Sequence, residues 1–236
     1  VSRDTRKRAL AASRLAPERA IVVPNTVADQ YAPGDATATR ERLGLGTSKV
    51  ILSVGRLDAR ERYKGHEYVL AIVAAMTREG RDIRYLVVGD GDDRARLERI
   101  ARAAGLGDRM TFLGHVERDE MPMIYRAADL FVLPSRGEGF GIVFLEAMAS
   151  GVPAIGLAAG GATDALDGLG TAVEPDMLEG AIRRALEDMV HDREALAARV
   201  HARFGRPVFE GGVAAAIASL LAREPAAPTI RVDLAT

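Results

Sequence analysis

The sequence has no cysteine and only four histidines. The first absence excludes disulfides and thiolate metal sites. The histidines stand apart at positions 66, 115, 191 and 201, so no cluster with metal-ligand spacing is expected. Neither charge sign dominates: 32 Lys plus Arg against 33 Asp plus Glu give a net charge of −1. General nucleic-acid binding needs a basic surplus and is not expected. No apolar run approaches the roughly 20 residues that span a bilayer. The charged, Ala-rich first twenty residues carry no signal-peptide pattern, and a cytoplasmic location is the expectation. Internal repeats and low-complexity tracts are absent too. What is present is 48% hydrophobic and 28% charged over 236 residues, enough to bury a substantial core as one large α/β domain or one domain with extensions. The chain opens at Val1 without a methionine and reads as a fragment or a processed form.

Apolar runs rich in β-branched residues alternate with helical patterns. Strands are expected at "AIVVPN" (20–25), "KVILSVGRL" (49–57), "IRYLVVGDG" (83–91), "MTFLGHV" (110–116), "LFVLPS" (130–135), "PAIGLA" (153–158) and "GTAVEP" (170–175). Between them apolar residues recur with helical period. Val69, Ile72, Val73 and Met76 share a face, as do Leu97, Ile100, Ala101 and Ala104. Met121, Ile124, Tyr125 and Ala128 form a third stripe, and Leu178, Ile182, Ala185, Leu186 and Met189 a fourth. Nearly continuous apolar strands imply a sheet covered on both faces. Alternation of strand and helix then predicts an α/β fold with a single Rossmann-like, doubly wound parallel sheet. Outside it lie a basic helical pattern, "DTRKRALAASRL", and a Pro- and Gly-punctuated stretch before position 48. A helical region after about 177 is broken by "FGRP" (204–207).

In such a sheet ligands sit beyond the carboxyl ends of the strands, so the residues leaving each strand are the candidates. In "GRLDARERYKG", Gly55 and Arg56 close a strand while Lys64 and Gly65 open a helix. Two cations there can clamp a diphosphate, or they can be ordinary surface charges. "VVGDGDDRARLERI" is an incomplete dinucleotide fingerprint, since Arg94 fills the third glycine position; a tight turn with Asp92 capping the helix is the plainer reading. "GHVERDEM" puts His115 at a strand end, where a lone histidine is more often a polar surface residue than a catalyst. The last exit, "SRGEGFGIVFLEAMASG", is a glycine loop running into an apolar helix that stops at Gly151. Its glycines allow a ligand to approach the backbone, and the amides at the helix start can hold an anion or sugar oxygens. Glu138 in the loop can accept hydroxyl hydrogen bonds. Glu146, flanked by Phe144, Leu145, Ala147 and Met148, is hard to explain as a solvent residue.

Taken in order, "SVGRL…KG…LVVGDG…FLGHV…YRAADLFVLPSRGEGFGIVFLEAMASGVPAIG…GG" resembles the carboxyl-terminal domain of the retaining GT-B glycosyltransferases of family 4, over residues 20–175. The resemblance implies the carboxyl-terminal half of a GT-B fold, binding a nucleoside-diphosphate sugar such as a UDP- or GDP-sugar, with no metal or other cofactor. It implies that Arg56 and Lys64 grip the donor diphosphate beside Gly55. Glu138 lies at the donor sugar, with Gly139 and the Phe140, Gly141 and Ile142 backbone close by. Glu146 bonds the ribose, and His115 and Val116 pass the base through backbone groups. Glu138, Arg56 and Lys64 are thereby the expected catalytic set. Departures exist: "NTVA" (25–28) replaces the family's Asn-Gly-Val-Asp, and Asp164 in "GGATD" replaces a longer acid.

The resemblance also implies an amino-terminal, acceptor-binding domain that these residues do not supply. Residues 1–18 then read as the end of that domain, 19–204 as the nucleotide-sugar-binding domain, 205–225 as a helix packing on the other domain, and 226–236 as a mobile tail. Peripheral membrane contact is open to the full-length protein. A sugar-nucleotide epimerase, a phosphorylase, a non-catalytic sugar-nucleotide-binding module and, more remotely, an NAD-dependent dehydrogenase remain alternatives on the same scaffold.

Overall fold

The computed structural model describes residues 2–187 and 192–222. Six strands form one parallel sheet: β1 (Lys49–Val54), β2 (Ile83–Val88), β3 (Met110–Gly114), β4 (Leu130–Leu133), β5 (Ala154–Leu157) and β6 (Thr171–Val173). Their order is β3-β2-β1-β4-β5-β6. The order reverses between β1 and β4, which is where a doubly wound sheet opens a crevice for ligands. Pairing is tightest in the centre, with Lys49 to Val54 in continuous register against Ile83 to Val88.

Successive residues of the central strands enter two different cores, because side chains alternate across a sheet. Val50, Leu52, Phe131 and Leu133 face α5 (Met121–Ala127), α6 (Ile142–Ala149), α7 (Ala162–Leu166) and α9 (Arg193–Phe204). Ile51, Leu130 and Val132 face α3 (His66–Arg78), α4 (Arg94–Ala103) and α8 (Leu178–Glu187). The remaining helices are α1 (Arg3–Ala11), α2 (Thr37–Arg42) and α10 (Arg206–Leu221). The apolar runs are continuous because neither face meets water.

Three expectations need correction. "AIVVPN" is not a strand: among residues 20–28 only Val27 is buried. The backbone here bonds elsewhere, the Val27 amide donating to the Phe204 carbonyl at 3.0 Å at the end of α9, and Pro24 has no amide to offer a ladder. Asp92 does not cap α4; its Oδ1 accepts from the Ala59 amide at 2.7 Å across the β1 exit. The "GDG" turn itself is as expected, since a side chain at Gly89 would fall 1.9 Å from the Gly55 carbonyl oxygen. Finally, Arg193–Leu221 is long and apolar enough, by length and composition alone, to cross a membrane. Gly205, extended at φ −68° and ψ 163°, splits that stretch into α9 and α10. Val208, Ile217, Leu220 and Leu221 of α10 are exposed. The expected tail at 226–236, the last residues of 205–225, Met189 and His191 lie outside the described residues.

Candidate functional site

A glycine brings the β1 and β4 exits together. Gly65, left-handed at φ 77°, starts α3, and a side chain there would meet the Pro134 carbonyl oxygen at 2.7 Å. Lys64 therefore leaves its turn directly beside the loop that follows β4. Its Nζ lies 3.1 Å from Glu138 Oε1 and 4.0 Å from Glu61 Oε2. Glu61 also accepts from Arg56 Nη2. Arg56, Glu61, Lys64 and Glu138 thus form one alternating chain of charge. Arg56 is 74% exposed, whereas the other three side chains are 13–15% exposed. A ligand diphosphate can draw the exposed guanidinium across at little cost, since an exposed ion pair is weak.

The loop after β4 is held from both sides. Gly161 donates its amide to the Glu138 carbonyl at 2.8 Å, and a side chain on Gly161 would sit 2.1 Å from the Gly139 carbonyl oxygen. That close approach explains the "GG" pair at 160–161. Asp164, the short acid of the same element, accepts from the backbone amide of Arg3 and, at 2.6 Å, from Arg3 Nε. Thr5 Oγ1 donates to the Gly139 carbonyl at 3.1 Å. The amino-terminal helix α1 is therefore seated on the glycine loop. Phe140 turns its ring inward, edge-on to Phe204 at 5.8 Å, which leaves only its backbone for a ligand. Gly141, at φ 86°, opens α6.

Beside this chain of charge lies a cavity of about 570 Å³ over the β1–β4 crevice. Gly55, Arg56, His115, Val116, Ile142 and Glu146 all line it. Glu146 is half-buried, one turn into α6, and accepts from the Tyr125 hydroxyl at 2.8 Å through Oε2. Burial pushes its carboxyl above the ordinary value, while the Tyr125 hydrogen bond, the nearby Tyr31 hydroxyl and the charge of Arg118 hold it down. His115 is exposed, with Nε2 3.5 Å from Glu117 Oε1.

So the structure brings Gly55, Arg56, His115, Val116, Ile142 and Glu146 to one cavity, and Lys64, Glu138, Gly139, Phe140 and Gly141 to its adjoining wall; the Lys64 stem lies against Gly55. Sequence reasoning missed Glu61, Tyr31, Tyr125 and Arg118. Tyr125 reads in the sequence only as one of a core stripe, and its hydroxyl partner is 21 residues away. Among the described residues no three His, Asp or Glu side chains are grouped to hold a metal. The acids of "GDGDD" already have protein partners: Asp90 the Gly91 amide, Asp92 the Ala59 amide, and Asp93 the Arg62 and Arg96 guanidiniums.

A doubly wound sheet with a cavity at its topological switch point is the arrangement in which α/β domains hold ligands. Comparison with known proteins gives the family. The family model for glycosyl transferases group 1 matches residues 35–203, and the chain belongs to that family. It is 34% identical over 187 residues to an alpha-D-kanosaminyltransferase of Streptomyces kanamyceticus, covering 77% of this chain and 48% of the relative. It is 35% identical over 211 residues to a GDP-mannose-dependent alpha-(1-6)-phosphatidylinositol monomannoside mannosyltransferase of Mycolicibacterium smegmatis, covering 84% and 54%. The chain thus spans about half the length of the curated relatives it matches. Among solved structures, a sucrose-phosphate synthase from Thermosynechococcus elongatus matches with TM-score 0.78 and 29% identity, over 94% of this chain and 58% of that one. Anabaena HepE in complex with UDP and glucose matches in fold with TM-score 0.80 and 24% identity, over 92% and 61%.

Proposed function

We propose that this chain is the donor-binding half of a retaining, metal-independent glycosyltransferase acting on a nucleoside-diphosphate sugar. The observation that carries the reading is the junction of the alternating charge chain with the Glu146 cavity at the β1–β4 switch point. A nucleoside fills the cavity, its ribose hydroxyls donating to Glu146 and its base passing His115 and Val116. The diphosphate then reaches Arg56 and Lys64, where two cations stabilise the charge that develops on the leaving group. The sugar comes to Glu138 and the Gly139–Ile142 backbone, whose first-turn helix amides have no intrahelical partner and favour oxygen ligands. A divalent cation is unnecessary in this scheme because the cations of the chain itself face the diphosphate. Acceptor binding belongs to the part of the relatives' length that this chain does not match.

Calorimetry with UDP, GDP, UDP-glucose and GDP-mannose tests the reading. Lys64→Ala is expected to weaken binding of the free diphosphate at least tenfold, in line with loss of a charge-assisted contact. Glu138→Ala is expected to spare the free diphosphate and weaken the sugar-bearing donor. Binding is expected to persist in EDTA. Equal affinities in both variants overturn the site assignment, and binding that vanishes with EDTA and returns with manganese overturns metal independence.

A further inference from the structure

Burying a carboxylate beside a ligand cavity is costly unless its charge is hydrogen-bonded, and the partners then dictate which way it points. Glu146 is such a group. The Tyr125 ring is fully buried, edge-on to Tyr31 at 5.7 Å and tilted against Phe131 at 6.0 Å, so its hydroxyl has little freedom. That hydroxyl donates to Glu146 Oε2 at 2.8 Å. The Tyr31 hydroxyl lies near enough to the same carboxylate to favour its ionised form. Tyr31 is itself only 3% exposed, and its segment is fastened on two sides. His201 Nε2 of α9 lies 2.9 Å from the Tyr31 carbonyl oxygen, and Arg126 Nε of α5 donates to the Ala32 carbonyl at 2.7 Å.

We propose that Tyr125 and Tyr31 are positioning residues for the nucleotide: the Tyr125 hydrogen bond, with Tyr31 packed beside it, fixes the Glu146 carboxylate so that its remaining acceptor sites face the ribose hydroxyls. The inference rests on the reading that Glu146 meets the ribose. An ionised carboxylate offers about four lone-pair sites and no donor. The Tyr125 phenol occupies part of that capacity from the protein side, which leaves sites toward the cavity for a vicinal diol. A protonated carboxyl would lose its charge and one acceptor site, and hold the diol less strongly. The phenols therefore act twice, on orientation and on ionisation.

The groups that face Glu146 set the balance. Tyr125 comes from α5, Tyr31 from the segment before α2, and Arg118 from the turn after β3; Arg56, His115 and Glu117 line the same cavity. Burial raises the carboxyl, and the two phenols with Arg118 oppose that rise. Removing one phenol hydroxyl removes part of the opposition, so the carboxyl protonates at a higher pH than in the parent.

The test uses the full chain, with calorimetry for UDP and GDP and for their 2′,3′-dideoxy counterparts between pH 5.5 and 8. The parent is expected to prefer the ribose form of whichever nucleotide it binds. Tyr125→Phe is expected to reduce that preference about tenfold at neutral pH, as loss of a hydrogen bond to a charged group does. Affinity for the dideoxy form should stay unchanged, and the pH below which the ribose preference disappears should move up. Tyr31→Phe is the second variant, at a less enclosed ring, and the same pattern is expected from it. A merely structural role lowers thermal stability but moves neither the ribose-to-dideoxy ratio nor its pH midpoint; that result in both variants overturns the proposal. A parent that binds ribose and dideoxy forms equally overturns the ribose reading itself, and the positioning role with it.

Discussion

At the scale of single residues, Glu146 couples function and stability in opposite senses. Its carboxyl is raised above the ordinary value chiefly by burial. The folded state therefore favours the protonated form. The stability linked to that preference is fully present below the ordinary glutamate range and is lost as the pH rises through the raised value. At neutral pH the ionised carboxylate thus costs stability, a cost that the proposed contact with the ribose would offset. Glu146→Gln keeps an oxygen to accept from Tyr125 and removes the charge. The variant is expected to melt at or above the parent temperature at pH 7.5, with the gap closing toward pH 5, while affinity for nucleoside diphosphate falls about tenfold or more. Melting curves at both pH values, read beside calorimetry, check this. A variant destabilised more at pH 7.5 than at pH 5 would contradict the sign.

At the scale of elements, the glycine loop depends on what packs against it. Gly161 has an ordinary helical backbone at φ −74°, so an added side chain is refused by space alone, 2.1 Å from the Gly139 carbonyl oxygen. Gly161→Ala must push the loop and is expected to cost about 1–3 kcal/mol, as overpacking does, with loss of sugar recognition. Gly139 has nothing within 4 Å of an added side chain. Gly139→Ala is expected to melt like the parent, so a binding loss in that variant reports direct approach of the ligand to the loop. Unchanged melting and unchanged donor affinity in Gly161→Ala would remove the clamp from the argument. How much of these elements was legible in the sequence follows from the same physics. The parallel sheet was, because Ile51 enters one core while Val50 and Leu52 enter the other, and only a sheet covered on both faces reads as continuous apolar residues. "AIVVPN" carries the same local signal and is half exposed, since one window of sequence cannot say where its backbone hydrogen bonds go. Arg56, Lys64, Glu138 and Glu146 were legible as strand-exit and helix-start residues. Glu61 and the two tyrosines were not, because their meaning lies in partners that only the fold brings near.

At the scale of the whole molecule, the proposed function makes the described residues one wall of a cleft. The cavity over the β1–β4 crevice is open to solvent, and α1 is seated on the glycine loop through Thr5, with Arg3 pairing to Asp164. Helix α10 contributes no buried residue to the domain and exposes Val208, Ile217, Leu220 and Leu221, apolar side chains left facing solvent. The relatives it matches are about twice as long. We therefore expect the 236-residue chain to bind donor and not to transfer sugar at an appreciable rate. Holding donor and acceptor in reacting geometry is worth on the order of 7–11 kcal/mol of barrier, and one wall positions only the donor. Water in an open cleft also weakens the electrostatic stabilisation of the departing diphosphate by Arg56 and Lys64. The measurement is a donor-turnover assay on the chain alone and again after addition of a covering domain from one of the longer relatives. Light scattering on the chain alone should show concentration-dependent association that Ile217→Glu with Leu220→Glu abolishes, without loss of donor binding. Robust transfer to an acceptor by the isolated chain would show that the catalytic cleft is complete without a second wall.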